Sequence, residues 1–127
     1  MDYADPLVVA RAYLAVRLTY RFDNLASYTA ALTSPAFTTV ALAARSKPSA
    51  SAQARLAAAR ETSAVQVGRA ELESEAPNTT TTRYVVVACT VTTTYRGGRD
   101  ATAAAWTLRL RQVSPGQWRV DGVLSTR

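Results

Sequence analysis

Aspartates and tyrosines are the residues of this sequence best suited to acid–base chemistry. The chain has no histidine, so histidine-based catalytic arrangements and the common zinc sites are excluded. An aspartate buried beside a tyrosine could act as a general base of raised pKa while the phenol stabilises a developing oxyanion. The candidates for such a pair are Tyr20, Asp23, Tyr28, Tyr84, Tyr95, Asp100 and Asp121.

The positions of the aspartates favour simpler roles. Asp23 stands where a helix begins, and either Asp23 or Asn24 is predicted to cap it; Asp100 follows a glycine pair. Asp121 alternates with apolar residues and is expected to face solvent. We therefore assign no catalytic residue. Four residues remain as the candidate lining of a cavity: Tyr20, Asp23, Tyr28 and Tyr84.

Composition and net charge indicate which kinds of ligand and partner the protein is expected to bind. The 127 residues carry a net charge of +6 with a pI near 10.1, and Lys47 is the only lysine among many arginines. The arginines are scattered, and the sheet face predicted to carry Arg109, Arg111 and Arg119 lacks interleaved aromatic residues that could stack on bases, so direct nucleic-acid binding is the less favoured interpretation. The single cysteine, Cys89, lies in an apolar strand pattern and is expected to be an inert core thiol. We expect no metal and no cofactor.

The first half of the chain has helical patterns. Residues 5–22 begin with Asp5 as N-cap and Pro6 at the first helical position, and predict a helix of about four turns. Residues 23–32 and 35–45 predict two more helices, and residues 52–61 a short fourth one.

The second half has strand patterns. Four β-rich segments follow one another in residues 63–75, 79–96, 101–113 and 116–124. Tight turns at Gly97-Gly98 and Pro115-Gly116 leave no room for crossover helices, so we expect antiparallel pairing. The strand from about Arg83 to Tyr95 is long enough to require strong twist and bending.

Alternation along the last two strands separates a core face from a wet face. The predicted core consists of Leu14, Leu18, Trp106, Leu108, Leu110, Trp118 and Val120. The wet face is a candidate interaction surface, formed by Arg109, Arg111, Arg119 and Asp121. On this face we expect Asp121 to pair with Arg109 or Arg111 of the neighbouring strand. Gly122 is expected to relieve a bend or to let another chain approach closely.

These patterns predict an α+β fold: a cone of three to four N-terminal helices packed on a strongly bent four-stranded antiparallel sheet. We expect residues 1–127 to form one domain, with helices at about 5–61 and strands at about 63–125. The element order and two motifs, Trp106-Thr107-Leu108-Arg109-Leu110 and Trp118-Arg119-Val120-Asp121-Gly122-Val123, are similar to the nuclear transport factor 2-like (cystatin-like cone) superfamily. The arginine- and alanine-rich style most resembles actinobacterial VirB-eight-like or TcpC-like conjugation proteins and Mce-associated membrane proteins.

The resemblance implies a non-enzymatic scaffold in a type IV secretion (conjugative DNA transfer) or Mce-type transport complex. The implied partners are further copies of the chain and other subunits of a membrane-spanning complex. Such families carry an N-terminal membrane helix before the cone, so the implied location is extracytoplasmic, with an anchor outside this sequence; without one, we expect a cytoplasmic protein. The alternative function is that of a small-ligand-binding protein or an isomerase- or dehydratase-like enzyme that uses the cone cavity.

Overall fold

The computed structural model describes residues 1–126, with side chains through Leu124. Four helices and five strands follow one another along the chain: α1 (Pro6–Arg17), β1 (Tyr20–Arg21), α2 (Leu25–Leu32), α3 (Val40–Ala44), α4 (Ala50–Ala59), β2 (Thr62–Leu72), β3 (Thr82–Tyr95), β4 (Gly98–Ser114) and β5 (Gln117–Thr126). The strands form one antiparallel sheet in the order β1-β2-β3-β4-β5. The predicted α+β fold with a strongly curled sheet is confirmed, and the sheet has one strand more than predicted.

Helix α1 lies against the sheet through one apolar face. The Asp5 carboxylate accepts a hydrogen bond from the Leu7 N–H at 2.9 Å, and Pro6 occupies the first turn, as predicted. Its buried face consists of Val9, Ala10, Tyr13 and Leu14. The spacing of these residues places them on one side of a helix, so α1 contributes a continuous stripe to the core.

The predicted first helix is too long at its C-terminal end. The helix ends at Arg17, and the following Tyr20 and Arg21 form the short strand β1 opposite Ser63 and Thr62 of β2. Two residues cannot form a stable strand alone, so this element depends on pairing with a distant part of the chain. A local sequence pattern carries no signal for it.

The segment before α3 is a turn at residues 35–37 followed by the β-bridge residue Thr38 and the extended Thr39, where a helix was predicted. Thr38 forms a parallel bridge with Val120 of β5, and the Val120 N–H donates to the Phe37 carbonyl at 2.8 Å. Helix α3 then starts with Thr39 as its N-cap, whose hydroxyl accepts a hydrogen bond from the Leu42 N–H. The segment therefore covers part of the outer edge of β5.

The core lies between α1 and the central strands. All predicted core residues belong to it or pack against it, and Trp106 is the one that is partly exposed. Val85, Val87 and Cys89 of β3 complete its floor. Burial raises the pKa of the Cys89 thiol and so disfavours the reactive thiolate.

Among the described residues, the first part of strand β4 pairs with a neighbouring strand, β3, along one of its two edges only. Pairing between β4 and β5 begins at Trp106 opposite Thr126, whereas pairing with β3 starts at Gly98 opposite Tyr95. Within the described residues, nothing pairs with the second edge of residues 98–105, and Arg99 through Ala103 are exposed. We call residues 98–105 the open edge.

Candidate functional site

Asp23 is an exposed residue that lines neither of the two cavities described below. Its carboxylate accepts hydrogen bonds from the Arg21 guanidinium at 3.1 and 3.4 Å, and both side chains are exposed. The side-chain hydrogen bond from Arg21 lowers the pKa of Asp23. Its side chain does not cap α2, because the cap position is occupied by Asn24. Asp23 is thus an ionised surface group and not a buried base.

Tyr20 and Tyr28 do come together, at a half-open cleft of about 770 Å³ between α1, α2 and the neighbouring strands. Their rings meet edge to face with centroids 5.6 Å apart. The Tyr28 hydroxyl donates to the Arg17 carbonyl at 2.7 Å, and the Tyr20 hydroxyl donates to the Glu61 carboxylate. Burial and then the Glu61 hydrogen bond raise the pKa of Tyr20, and burial raises that of Tyr28.

Glu61 is the carboxylate that sequence reasoning did not select. It follows the end of α4, where Arg60 adopts a left-handed conformation with φ of 52°. Its carbonyl also accepts the Phe22 N–H at 3.0 Å, so the start of β2 is joined to the end of β1. Because the contact depends on the pairing of β1 with β2, only the three-dimensional fold brings Glu61 to Tyr20.

Tyr84 lies far from the other candidates. Its N–H donates to the Asn78 side chain at 2.7 Å, at the end of the sheet near the loop between β2 and β3. Tyr20 is aligned across the sheet with Ser63 and Thr93. Thr93 is nine residues beyond Tyr84, which is about 30 Å along an extended strand. The four candidate cavity residues therefore do not form one site.

Tyr95 and Asp100 form a separate pair at the turn between β3 and β4. The Tyr95 hydroxyl donates to the Asp100 carboxylate at 2.8 Å, and this hydrogen bond is the main cause that raises the pKa of Tyr95. The pair is exposed to solvent. It supports the turn and encloses no substrate-sized space.

Asp121 is buried, contrary to the expectation that it faces solvent; its side chain is only 6% exposed. The carboxylate accepts hydrogen bonds from Arg109 Nε at 3.2 Å and from the Thr39 hydroxyl at 2.9 Å, and Arg111 Nη2 lies 3.4 Å from it. A β-bulge makes Asp121 an extra residue of β5, and the segment before α3 covers it. The expected pairing with Arg109 and Arg111 is present, but as a buried structural centre.

Gly122 allows this centre to form. A Cβ atom at Gly122 would lie 3.0 Å from Arg109 Nη2, which is tighter than most Cβ contacts in proteins. The bulge lies at the same point, between Arg109 and Leu110 of the partner strand. Gly122 thus lies at a β-bulge and at a close approach, and the group that approaches is the Arg109 side chain of the same chain.

Arg119 is separated from the other three residues of the candidate interaction surface. Its guanidinium donates to the Pro35 carbonyl at 2.8 Å and to Gln117 Oε1 at 3.2 Å, and lies 5.0 Å from the centroid of the Tyr3 ring. These contacts attach β5 to the N-terminus and to the segment before α3. Arg119 therefore stabilises the edge of the sheet.

A second half-open cavity, of about 550 Å³, lies between the ends of α1 and α2, the α3–α4 region and strands β4 and β5. Its lining includes Arg17, Arg45 and Arg109 together with Tyr28 and Trp106. We call it the arginine-lined cavity. Among the described residues, no aspartate or glutamate lines this cavity or the cleft at Tyr20 and Tyr28. Sequence reasoning did not select Arg17 or Arg45, because they belong to different helical segments.

The described residues contain no membrane span and no metal cluster. None of the helices in residues 1–126 combines the length and hydropathy needed to cross a bilayer. In the same range, no three Cys, Asp or Glu side chains are grouped so that they could hold a metal ion.

Comparison with known proteins finds likeness in structure and none in sequence. No protein-family model matches the chain, and no curated protein matches it. The periplasmic domain of DotI has a TM-score of 0.73 at 15% identity, covering 95% of this chain and 91% of its own. An IcmL-like type IV secretion system protein from Legionella pneumophila subsp. pneumophila str. Philadelphia 1 has a TM-score of 0.66 at 17% identity, covering 100% and 93%. A periplasmic fragment of TraM has a TM-score of 0.61 at 13% identity, covering 94% and 93%. The chain has the fold of these three structures.

Proposed function

We propose that this chain is a non-enzymatic, extracytoplasmic assembly subunit of a bacterial type IV secretion complex. The observation that carries the proposal is the extent of the structural likeness. Each of the three secretion-protein structures covers at least 94% of this chain, and the match extends over at least 91% of each of them. We favour conjugative DNA transfer or a related secretion process over Mce-type transport, because the similar structures include secretion proteins.

The placement of the acidic groups supports a non-enzymatic role. Asp23 is held in an exposed pair with Arg21, and Asp121 is neutralised by two arginines and a threonine hydroxyl. A general base must reach the proton that it removes from a bound substrate. Neither aspartate lines the arginine-lined cavity or the cleft at Tyr20 and Tyr28, so these two aspartates give no support to the alternative of an isomerase- or dehydratase-like enzyme.

The open edge supplies a surface for assembly. The Gln112 N–H donates to the Thr81 carbonyl, and β3 and β4 stay in one register from Tyr95–Gly98 to Thr82–Arg111. Since backbone groups alternate along an antiparallel strand, the even-numbered residues of β4 point to β3 and the odd-numbered ones point away. Arg99, Ala101, Ala103 and Ala105 therefore present unpaired backbone groups, which are a template for another strand.

The occupant that fits this edge is the same edge of a second copy. In an antiparallel pair centred on Thr102, each Arg99 would oppose Ala105 and each Asp100 would oppose Ala104, so no like charges would meet. The other facing residues are alanine and threonine, which let two backbones approach closely. Such a pair is two-fold symmetric and closed. We propose that tethering to the membrane, through a helix outside this sequence, raises the local concentration of copies.

The proposal is tested in the source bacterium by deleting the gene and restoring it with variants. Deletion is expected to abolish export through the secretion complex, and the wild-type gene to restore it. Thr102→Asp places two like charges opposite each other in the proposed pair and is expected to fail to restore export at normal protein levels. Thr90→Asp, which changes an exposed threonine on β3 inside the sheet, is the control and should restore export. Unchanged export after deletion would refute the proposed function, whereas full restoration by Thr102→Asp would refute only the interface.

A further inference from the structure

We infer that the arginine-lined cavity binds a small carboxylate that carries an apolar tail. This inference goes beyond the proposed function and does not depend on it. It rests on the excess of positive charge around the cavity, on the way in which the guanidinium groups are held, and on the apolar floor beneath them.

The described residues do not neutralise the positive charge around the cavity. Arg109 shares the carboxylate of Asp121 with Arg111. Within the described residues, Arg17 and Arg45 form no ion pair. Four guanidinium groups are thus balanced by one carboxylate, and that carboxylate lies behind Arg109 and outside the lining. An anion entering the cavity would meet three arginines and no acidic side chain.

Two of the three arginines are held in place by contacts with other side chains of the protein. Arg17 Nη1 donates to the Tyr13 hydroxyl at 3.0 Å, and its guanidinium lies 5.8 Å from the centroid of the Trp106 ring. Arg109 is fixed by Asp121. Because these groups are already ordered, binding an anion costs less side-chain entropy than at a freely moving arginine. Arg45, which donates to the Asp121 carbonyl at 3.4 Å, is exposed at the rim.

The floor of the cavity is apolar. Leu18, Leu32 and Leu42 line it and are 9%, 2% and 6% exposed, and the side chains of Trp106 and Val123 continue the surface. The volume of about 550 Å³ lies in the range of small-ligand sites. A ligand that fits both the arginines and the apolar floor of the cavity must combine an apolar body with an anionic group. A carboxylate matches the planar fork of a guanidinium, with which it can form two parallel hydrogen bonds.

The inference is tested by isothermal titration calorimetry with decanoate and with decanol, its neutral counterpart. Decanoate is expected to bind at one site at least about tenfold more tightly than decanol. Arg17→Gln and Arg45→Gln should each weaken decanoate binding about tenfold and leave decanol binding unchanged. Arg96→Gln removes the same charge at the exposed turn between β3 and β4 and should have no effect.

Three results would overturn the inference: no binding of decanoate, equal affinities for decanoate and decanol, or wild-type affinity in both Arg17→Gln and Arg45→Gln. Near-ultraviolet circular dichroism checks that each variant is folded. If loss of the Tyr13 contact unfolds Arg17→Gln, the exposed Arg45 still provides the decisive variant, because its side chain contributes little to the core.

Discussion

The Thr39 hydroxyl donates a hydrogen bond to the buried Asp121 carboxylate at 2.9 Å and links residues 82 positions apart in the sequence. The bond attaches the start of α3 to the closing strand β5. The same carboxylate binds Arg109 and Arg111 of β4. One side chain thus holds together the last two strands and the segment that covers their edge, so we expect it to be important for stability.

Asp121→Asn is expected to lower the free energy of unfolding by about 2 kcal/mol, because two arginines lose their counter-ion. The loss of stability should be smaller than for a fully buried ion pair, since the side chains of Arg109 and Arg111 are 34% and 60% exposed. Urea denaturation measures it. Asp23→Asn, which removes a solvent-exposed pair, is the control and should leave stability nearly unchanged. Equal stability of the two variants would contradict the assigned role of Asp121.

Gly122→Ala is expected to destabilise the protein by about 1 kcal/mol, because the new methyl group would displace a guanidinium that Asp121 holds in place. In an Arg109→Ala background the same substitution should cost much less, and a double-mutant cycle of urea denaturation measures the difference. Gly97→Ala serves as the control, since a Cβ atom at Gly97 would lie an ordinary 4.0 Å from the Tyr95 ring. Independent, additive effects of Gly122→Ala and Arg109→Ala would argue against the close approach.

Stability should fall at alkaline pH because of Tyr20. Its pKa is raised in the folded protein, chiefly by burial and by the Glu61 hydrogen bond. Below the ordinary tyrosine pKa of about 10, both states keep the proton, and this contribution is fully present. As the pH rises above that value, the unfolded state ionises first, and the folded state loses stability. Urea denaturation at about pH 8 and pH 11 should show this loss, and Tyr20→Phe should reduce it. An identical loss in both proteins would contradict the account.

Local signals in the sequence predicted the elements that depend on local structure. Asp5 and Pro6 marked the start of α1, and the β-branched run that ends at Tyr95 marked the long strand β3. Pro115-Gly116 marked the last turn, where Gly116 has a φ of 72°. Each of these features is determined by a few neighbouring residues, which is why the sequence alone was sufficient.

Features that depend on distant pairing were not predictable. Strand β1 exists only opposite Thr62 and Ser63, and the burial of Asp121 requires a bulge together with a covering segment from the other half of the chain. Alternation alone placed Asp121 on the wet face. The separation of Tyr84 from Tyr20 follows from strand register, which the sequence does not specify.

The most direct test of the proposed assembly is disulfide cross-linking at the open edge. In a Cys89→Ala background, Thr102→Cys would place two thiols opposite each other across the symmetry axis, within reach of a disulfide. Under mild oxidation, on non-reducing gels of cells of the source bacterium that express the protein, we predict a covalent dimer for Thr102→Cys. Thr90→Cys, exposed but inside the sheet, should remain monomeric. Equal amounts of dimer from both variants, or none from Thr102→Cys, would contradict assembly through the open edge.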